Sequence, residues 1–71
     1  SLAESERASV LFRRSIYFVR NLKAGQTITS EDIRRIRPGF GLPPKFYDSI
    51  IGRKVNSNVS KGEPVTFEKL F

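Results

Sequence analysis

The chain has 71 residues, which makes one small domain near the lower size limit for folding around a single hydrophobic core without a disulfide or a metal. It contains neither Cys nor His, which excludes disulfides, thiolate and imidazole metal ligands, a His-dependent catalytic triad and a Cys nucleophile. Thirteen Lys and Arg against seven Asp and Glu give a net charge of +6, which favours anionic partners without choosing among them.

The first residues differ in composition from the rest of the chain. Residues 1–10 are polar and rich in helix-forming types, but they lack an apolar stripe. We therefore interpret residues 1–12 as a linker or tail, and residues 13–71 as the folded domain. Because no apolar run approaches the length of a signal peptide core or a membrane span, we expect no membrane association and a cytoplasmic location by default.

Short elements follow one another in the first half of the domain. Residues 15–20 contain a β-branched and aromatic run, which predicts a strand. A turn with Gly25 at its tight position and a short extended segment at 27–28 come next. The segment Thr29–Ile33 offers a hydroxyl cap, acidic residues in a first turn and an aliphatic residue to bury, so it predicts the start of a short helix.

The most distinctive segment is the loop at residues 35–44, where three prolines and two glycines follow the basic pair Arg35 and Arg37. Pro38 fixes its own φ and favours an extended Arg37, while Gly39 can supply the positive φ of a Pro-Gly type II turn. Arg37 is then held at the mouth of a turn, where its planar guanidinium suits a carboxylate or a phosphate. Anion binding by Arg37 and simple solvation of a surface arginine are both compatible with the local sequence.

Beyond the loop, two prolines at 43 and 44 predict a short helix or 3₁₀ turn that runs to Ile50. An extended segment at 51–55, a turn at 60–63 and a short strand at 64–66 complete the chain. Residues 25–33 and 62–70 match each other at an offset of 37 residues, and both read as a turn glycine, a short strand, a Thr cap and a stub of helix. This repeat predicts an internal pseudo-twofold axis.

These elements predict a mostly β fold with short helical and 3₁₀ turns around one small core. The core should leave no deep cavity, so we expect the domain by itself to be non-catalytic. The residues expected in the core are Ile16, Phe18, Leu22, Ile28, Ile33, Ile36, Leu42, Phe46, Ile50, Val55, Val59, Val65 and Leu70.

Four motifs in this order resemble a known family: Arg14–Tyr17, Lys23–Thr29, Arg37–Pro44 and Ile51–Val55. Together they are similar to the C-terminal antifreeze-like domain of bacterial sialic acid synthases, also called the SAF domain, whose fold is a β-clip. The resemblance covers about residues 13–70 and therefore implies a β-clip fold for nearly the whole predicted domain.

The resemblance also implies a function for a longer parent protein. Family members are transferases that condense phosphoenolpyruvate with an N-acetylated hexosamine such as N-acetylmannosamine, releasing phosphate and forming a nine-carbon 2-keto acid. The chemistry belongs to an N-terminal TIM barrel that holds a divalent metal, manganese or magnesium, and the antifreeze-like domain has no cofactor of its own. In a homodimer this domain covers the barrel of the partner subunit and contributes an arginine to the sugar site.

Carried over by position in the loop motif, that arginine is Arg37, with Arg35 as the second candidate. The resemblance further implies that Phe40 covers the site or packs against it. The remaining residues of the motif would shape the loop: Pro38, Gly39 and Gly41.

Other functions remain open at this point. The net charge is also compatible with a free-standing basic module that binds a polyanion, although nucleic acid is disfavoured because the basic residues are scattered and the aromatic residues fall at core positions. An assembly factor with the same fold is a further alternative, whereas ice binding suits a flat and weakly charged face. The resemblance does not distinguish sialic, legionaminic and pseudaminic acid synthases, whose specificity lies mainly in the barrel.

Overall fold

The computed structural model describes residues 12–71, so that the predicted tail lies outside the described residues except for Phe12. The fold is mostly β with short helical turns, as predicted. Within residues 12–71, no helix has the length and hydrophobicity needed to cross a bilayer. The elements are strand β1 at Ser15–Phe18, strand β2 at Ile33–Ile36, 3₁₀ helix η1 at Pro44–Phe46, helix α1 at Tyr47–Ile50 and 3₁₀ helix η2 at Phe67–Lys69.

Strand β1 lies at the centre of the domain, and all four of its residues are buried. On one edge it pairs antiparallel with β2. On the other edge it bonds to the last quarter of the chain, where the Phe18 N–H donates to the Glu63 carbonyl (2.9 Å) and the Val65 N–H donates to the Ile16 carbonyl (2.9 Å). The strand predicted at residues 15–20 is therefore confirmed over 15–18, and its high β propensity matches its burial on both faces.

The short helix predicted at Thr29–Ile33 is wrong, and a turn followed by β2 takes its place. The Asp32 N–H bonds to the Thr29 carbonyl (3.0 Å), and the Asp32 carboxylate accepts hydrogen bonds from the Thr29 N–H and hydroxyl (2.8 Å each). These are the contacts of a helix cap, but Ile33 then pairs with Phe18 of β1 and continues as a strand. The capping signal was present in the sequence, and strand pairing overrode it.

The predicted pseudo-twofold appears directly in the hydrogen bonds. Leu22 and Val59, which are 37 positions apart, exchange two backbone bonds of 3.0 and 2.8 Å and therefore lie on the axis. Further bonds occur in pairs related by the same offset: Gly25 N–H to Val55 carbonyl with Gly62 N–H to Phe18 carbonyl, Ile28 N–H to Arg53 carbonyl with Val65 N–H to Ile16 carbonyl, and Ala24 N–H to Asn58 Oδ1 with Lys61 N–H to Asn21 Oδ1.

The two glycine turns, residues 23–26 and 60–63, are alike in backbone and in side chains. Their third residues are glycines with φ of +87° and +96°, a region that side chains rarely adopt. In each turn the side chain of the fourth residue accepts a hydrogen bond from the N–H of the first, through the Gln26 amide oxygen in one and the Glu63 carboxylate in the other. The repeat seen in the sequence is thus a repeat of turn chemistry.

The predicted core is confirmed apart from Ile36 and Phe46. Ile36 ends β2 and is 42% exposed, because it projects from the opposite face of the strand to the buried Ile33. Phe46 is half-buried and packs on the rim of the core, where its ring makes an edge-to-face contact with Phe67 (centroids 5.3 Å apart). Tyr17 is a buried residue that the prediction did not include.

Candidate functional site

Residues 37–42 form a loop that leaves the end of β2, and one buried hydroxyl holds it against β1. The Ser15 side chain is 1% exposed, and its Oγ donates to the Pro38 carbonyl (2.9 Å) and accepts from the Gly41 N–H (3.0 Å). A single side chain therefore satisfies two backbone groups on opposite arms of the loop. Ser15 fixes the loop to the most buried strand of the domain.

Close backbone packing holds the far end of the same loop. A Cβ added at Gly41 would collide with the Ile16 carbonyl oxygen and would lie 3.1 Å from both the N and the O of Val65. Leu42 is inserted between the same two residues, since its carbonyl accepts from the Ile16 N–H (3.0 Å) and its N–H donates to the Val65 carbonyl (2.7 Å). The loop is thus joined to the backbone of the core at its C-terminal end.

The turn chemistry expected at Gly39 differs from the prediction. Among residues 12–71, the residues with positive φ are Gly25, Gly52 and Gly62, so Gly39 does not supply the positive φ of a type II turn. The Arg37–Pro38 peptide bond is cis. Contacts with Ser15 and close packing at Gly41 hold this loop, and those contacts come from distant parts of the chain.

The tip of the 37–42 loop presents the candidate side chains to solvent. Phe40 is 61% exposed, and Arg37 is exposed as well. Within residues 12–71, the Arg37 guanidinium makes no ion pair or hydrogen bond. Its donors are free to receive a carboxylate, a phosphate or a sugar oxygen, while the loop beneath it is held by the core.

Arg35 lies in a different environment from Arg37. Its guanidinium carbon is 4.5 Å from the centre of the Tyr47 ring, and the Tyr47 hydroxyl donates to the Ser30 carbonyl (3.2 Å). This cation–π contact restrains the guanidinium, while the Arg35 residue as a whole remains exposed. Arg35 belongs to an open depression of about 340 Å³ that we call the β2-edge depression, lined by Arg14, Arg34, Arg35, Ile36 and Tyr47.

The structure therefore divides the predicted site residues into two groups. Arg37 and Phe40 lie in the 37–42 loop, whereas Arg35 lies in the β2-edge depression, whose lining does not include the other two. Ser15 was missed by the sequence reasoning, although a lone serine at the head of an apolar strand is a detectable signal. Arg14 and Tyr47 were also missed, because only the fold brings them beside β2.

Two carboxylates among the described residues form ion pairs, and neither pair involves the 37–42 loop or the β2-edge depression. Glu31 pairs with Arg20 (3.3 Å), and Glu63 pairs with Lys69 (3.4 Å). The backbone hydrogen bond from Ser60, aided by Lys69, lowers the pKa of Glu63 below its ordinary value of 4.5. In the described part of the chain, no three acidic side chains are grouped closely enough to hold a metal ion.

Comparison with known proteins gives consistent matches. Residues 13–70 match the family described as the SAF domain. A pseudaminic acid synthase of Campylobacter jejuni is 34% identical over 62 residues, covering 87% of this chain and 18% of that enzyme. An N,N'-diacetyllegionaminic acid synthase of Legionella pneumophila is 37% identical over 60 residues, covering 84% of this chain and 17% of the enzyme. The chain thus spans less than a fifth of the length of these relatives.

Solved structures agree on the fold. The antifreeze protein-like domain of human N-acetylneuraminic acid phosphate synthase superposes with a TM-score of 0.74 at 19% identity, covering 80% of this chain and 73% of that domain. A spore coat polysaccharide biosynthesis protein of Bacillus subtilis superposes with a TM-score of 0.81 at 19% identity, covering 100% of this chain and 21% of that protein. At this identity the two superpositions establish a shared fold.

Proposed function

The chain belongs to the SAF domain family, and from this premise we propose that it is the C-terminal lid domain of a nonulosonic acid synthase. The parent enzyme condenses phosphoenolpyruvate with an N-acetylated hexosamine in the cytoplasm and releases phosphate. The lid covers the TIM barrel of the partner subunit in a homodimer and contributes Arg37 in trans. The pseudaminic and legionaminic acid synthases among the relatives support this class of parent enzyme.

The observation that carries the proposal is the attachment of the 37–42 loop to the core. Ser15 holds the Pro38 carbonyl and the Gly41 N–H, so the backbone next to Arg37 has little freedom left to lose on binding. A guanidinium presented in this way orients a substrate through charge-assisted hydrogen bonds. The exposed Phe40 at the tip of the loop would exclude water from the covered site.

Arg37 is the better of the two predicted arginines for this role. Arg35 is stacked on Tyr47 and lies in the β2-edge depression, whereas Arg37 has no stacking or ionic partner among residues 12–71. A guanidinium that binds a substrate oxygen orients the substrate and stabilises its negative charge, and neither arginine is assigned a general acid or base role. The lid therefore contributes positioning, and the barrel carries out the bond-forming step.

The divalent metal of this family, manganese or magnesium, is assigned to the barrel. Among residues 12–71, no group of three acidic side chains lies close enough to hold it. When bound in the barrel, the metal would act as a Lewis acid toward a carbonyl oxygen.

The test is a kinetic comparison of the full-length parent protein with its Arg37→Ala variant. Phosphate release is measured with phosphoenolpyruvate and a panel of mono- and di-N-acetylated hexosamines. The expected loss in kcat/KM for the sugar is roughly 10- to 100-fold, as removal of a charge-assisted hydrogen bond predicts, with an unchanged circular dichroism spectrum. The matched control is Arg20→Ala, which removes an exposed arginine paired with Glu31 and should leave the kinetics unchanged.

Mixed dimers test whether Arg37 acts in trans. Subunits that carry Arg37→Ala are combined with subunits whose barrel has been inactivated, so that an intact barrel can receive an intact lid only from its partner. Recovered activity in the mixture supports a lid that acts across the dimer. Unchanged kinetics in Arg37→Ala, or a mixture that stays inactive while both proteins remain dimeric, would contradict the proposal.

A further inference from the structure

The β2-edge depression wraps around the outer edge of a strand. In the antiparallel register, Arg34 lies opposite Tyr17 and Arg35 lies opposite Ile16, so the two arginines project from opposite faces of β2. Both nevertheless line the same depression. The depression therefore includes the strand edge between them, and side chains from both faces of the strand can converge on one ligand.

This edge offers a backbone donor as well. Ile16, the register partner of Arg35, makes its backbone bonds on the other side of β1, with Leu42 and Val65. The Arg35 N–H and carbonyl therefore point away from β1. Within residues 12–71, the Arg35 N–H has no hydrogen-bond acceptor. An unpaired N–H thus lies between the two arginine side chains of the depression.

Positive charge in the depression has no compensation from its own walls. The lining holds three guanidiniums, from Arg14, Arg34 and Arg35, and no carboxylate. Asp32, two residues before Arg34, accepts hydrogen bonds from Thr29, and Glu31 pairs with Arg20. Contact with the Tyr47 ring already restrains the Arg35 side chain, so this side chain loses less conformational entropy when it binds a ligand.

We propose that the β2-edge depression binds the dianionic phosphate of a small phosphate monoester. Three guanidiniums and an N–H match a group with three peripheral oxygens and about two negative charges, whereas a carboxylate provides two oxygens and one charge. A volume of about 340 Å³ also accommodates a sugar-sized organic group, and Ile36 and Tyr47 provide apolar contact for it. The site is separate from the 37–42 loop, and it does not depend on the lid function.

The test is a titration of the ¹⁵N-labelled chain followed by amide and arginine side-chain NMR shifts. The probes are inorganic phosphate and glucose 6-phosphate, with acetate at equal ionic strength as the comparison. We expect the largest shifts at the Arg35 amide and at the Arg34 and Arg35 side chains, with tighter binding of glucose 6-phosphate than of acetate.

Variants then show whether phosphate binds at the β2-edge depression or is attracted only by the overall positive charge of the domain. Arg35→Gln should weaken phosphate binding by about 10-fold, the effect of one lost charge-assisted contact, while the matched control Arg20→Gln should weaken it less than about twofold. Arg35→Lys keeps the charge but loses the planar fork and its stacking on Tyr47, so it should also weaken binding by several-fold. Circular dichroism verifies the fold of each variant.

Three results would overturn the proposal. If Arg20→Gln and Arg35→Gln weaken phosphate binding equally, the binding arises from net charge and not from a defined site. If acetate binds as tightly as phosphate, the depression has no preference for a dianion. Poly-glutamate that binds more tightly than glucose 6-phosphate and shifts the β2 amides would assign the edge to an acidic protein segment instead. Each of these outcomes leaves the kinetic test of Arg37 unaffected.

Discussion

The two halves of the domain, residues 15–34 and 52–71, share a backbone hydrogen-bond pattern but differ in what they carry. The connection between them, residues 35–51, lies outside these two matching segments. It contains Arg35, Arg37 and the 37–42 loop. The symmetric part of the chain builds the framework and carries Arg34, whereas the connection presents Arg35, Arg37 and Phe40.

Side chains at equivalent positions show where the symmetry ends. Ser15 holds the 37–42 loop, whereas the equivalent residue in the second half is Gly52, which has no side chain and a φ of +93°. Asp32 closes its turn with Thr29, whereas the equivalent Lys69 donates to the Pro64 carbonyl (2.8 Å). The same backbone arrangement is thus compatible with different side-chain contacts. Of the two equivalent residues, only Ser15 in the first half anchors the 37–42 loop.

The largest expected effect is at the asymmetric position Gly41. Gly41→Ala forces a methyl group against the Ile16 carbonyl and the Val65 backbone, so stability should fall by about 3 kcal/mol through overpacking. Urea unfolding measures the change, which should appear as a lower midpoint with an unchanged slope.

Gly25 and Gly62, which the pseudo-twofold relates, provide the control for Gly41→Ala. Gly25→Ala and Gly62→Ala place a methyl group in open space, so each should cost only about 1–2 kcal/mol for a positive φ, and the two costs should be equal. A Gly41→Ala variant as stable as these two would show that the loop can move away from the core.

An intermediate effect is expected when the loop loses its anchor. Ser15→Ala leaves the Pro38 carbonyl and the Gly41 N–H without their partner, which should lower the free energy of unfolding by about 1–3 kcal/mol. In the parent enzyme the same change should raise the KM for the sugar. Ser49→Ala, at an exposed serine of α1, is the matched control and should stay within about 0.5 kcal/mol of the wild type. Equal stabilities for the two variants would mean that Ser15 does not anchor the loop.

The smallest effect concerns the paired turns and depends on pH. Gln26 and Glu63 make equivalent bonds, but only Glu63 titrates. Because folding lowers the pKa of Glu63 below 4.5, its contribution to stability is complete above that pH and is lost as the pH falls through the folded-state pKa. Glu63→Gln should therefore be slightly less stable than the wild type at neutral pH, and the difference should vanish in acid. A stability difference that stays constant from pH 7 to acid would contradict this origin.

The sequence predicted the parts of the fold that local chemistry determines. The apolar run of β1, the glycine turns, the pseudo-twofold and nearly all of the core follow from residue types and spacing. Strand β2 did not, because Thr29–Asp32 carries a capping signal and Ile-Arg-Arg-Ile lacks strict alternation. The Ser15 hydrogen bonds span 23 and 26 positions, and the β2-edge depression brings Arg14 and Tyr47 beside Arg34–Ile36, so only the tertiary fold reveals these contacts.

The reciprocal bonds between Leu22 and Val59 have a consequence for how the chain folds. Each half satisfies its backbone with groups of the other half, so neither can form a stable unit alone. Most native pairings join distant positions, which predicts slow folding for so short a chain and a single cooperative transition. The amides at the axis should exchange with solvent only through global unfolding, and their exchange rates should report the stability of the entire domain.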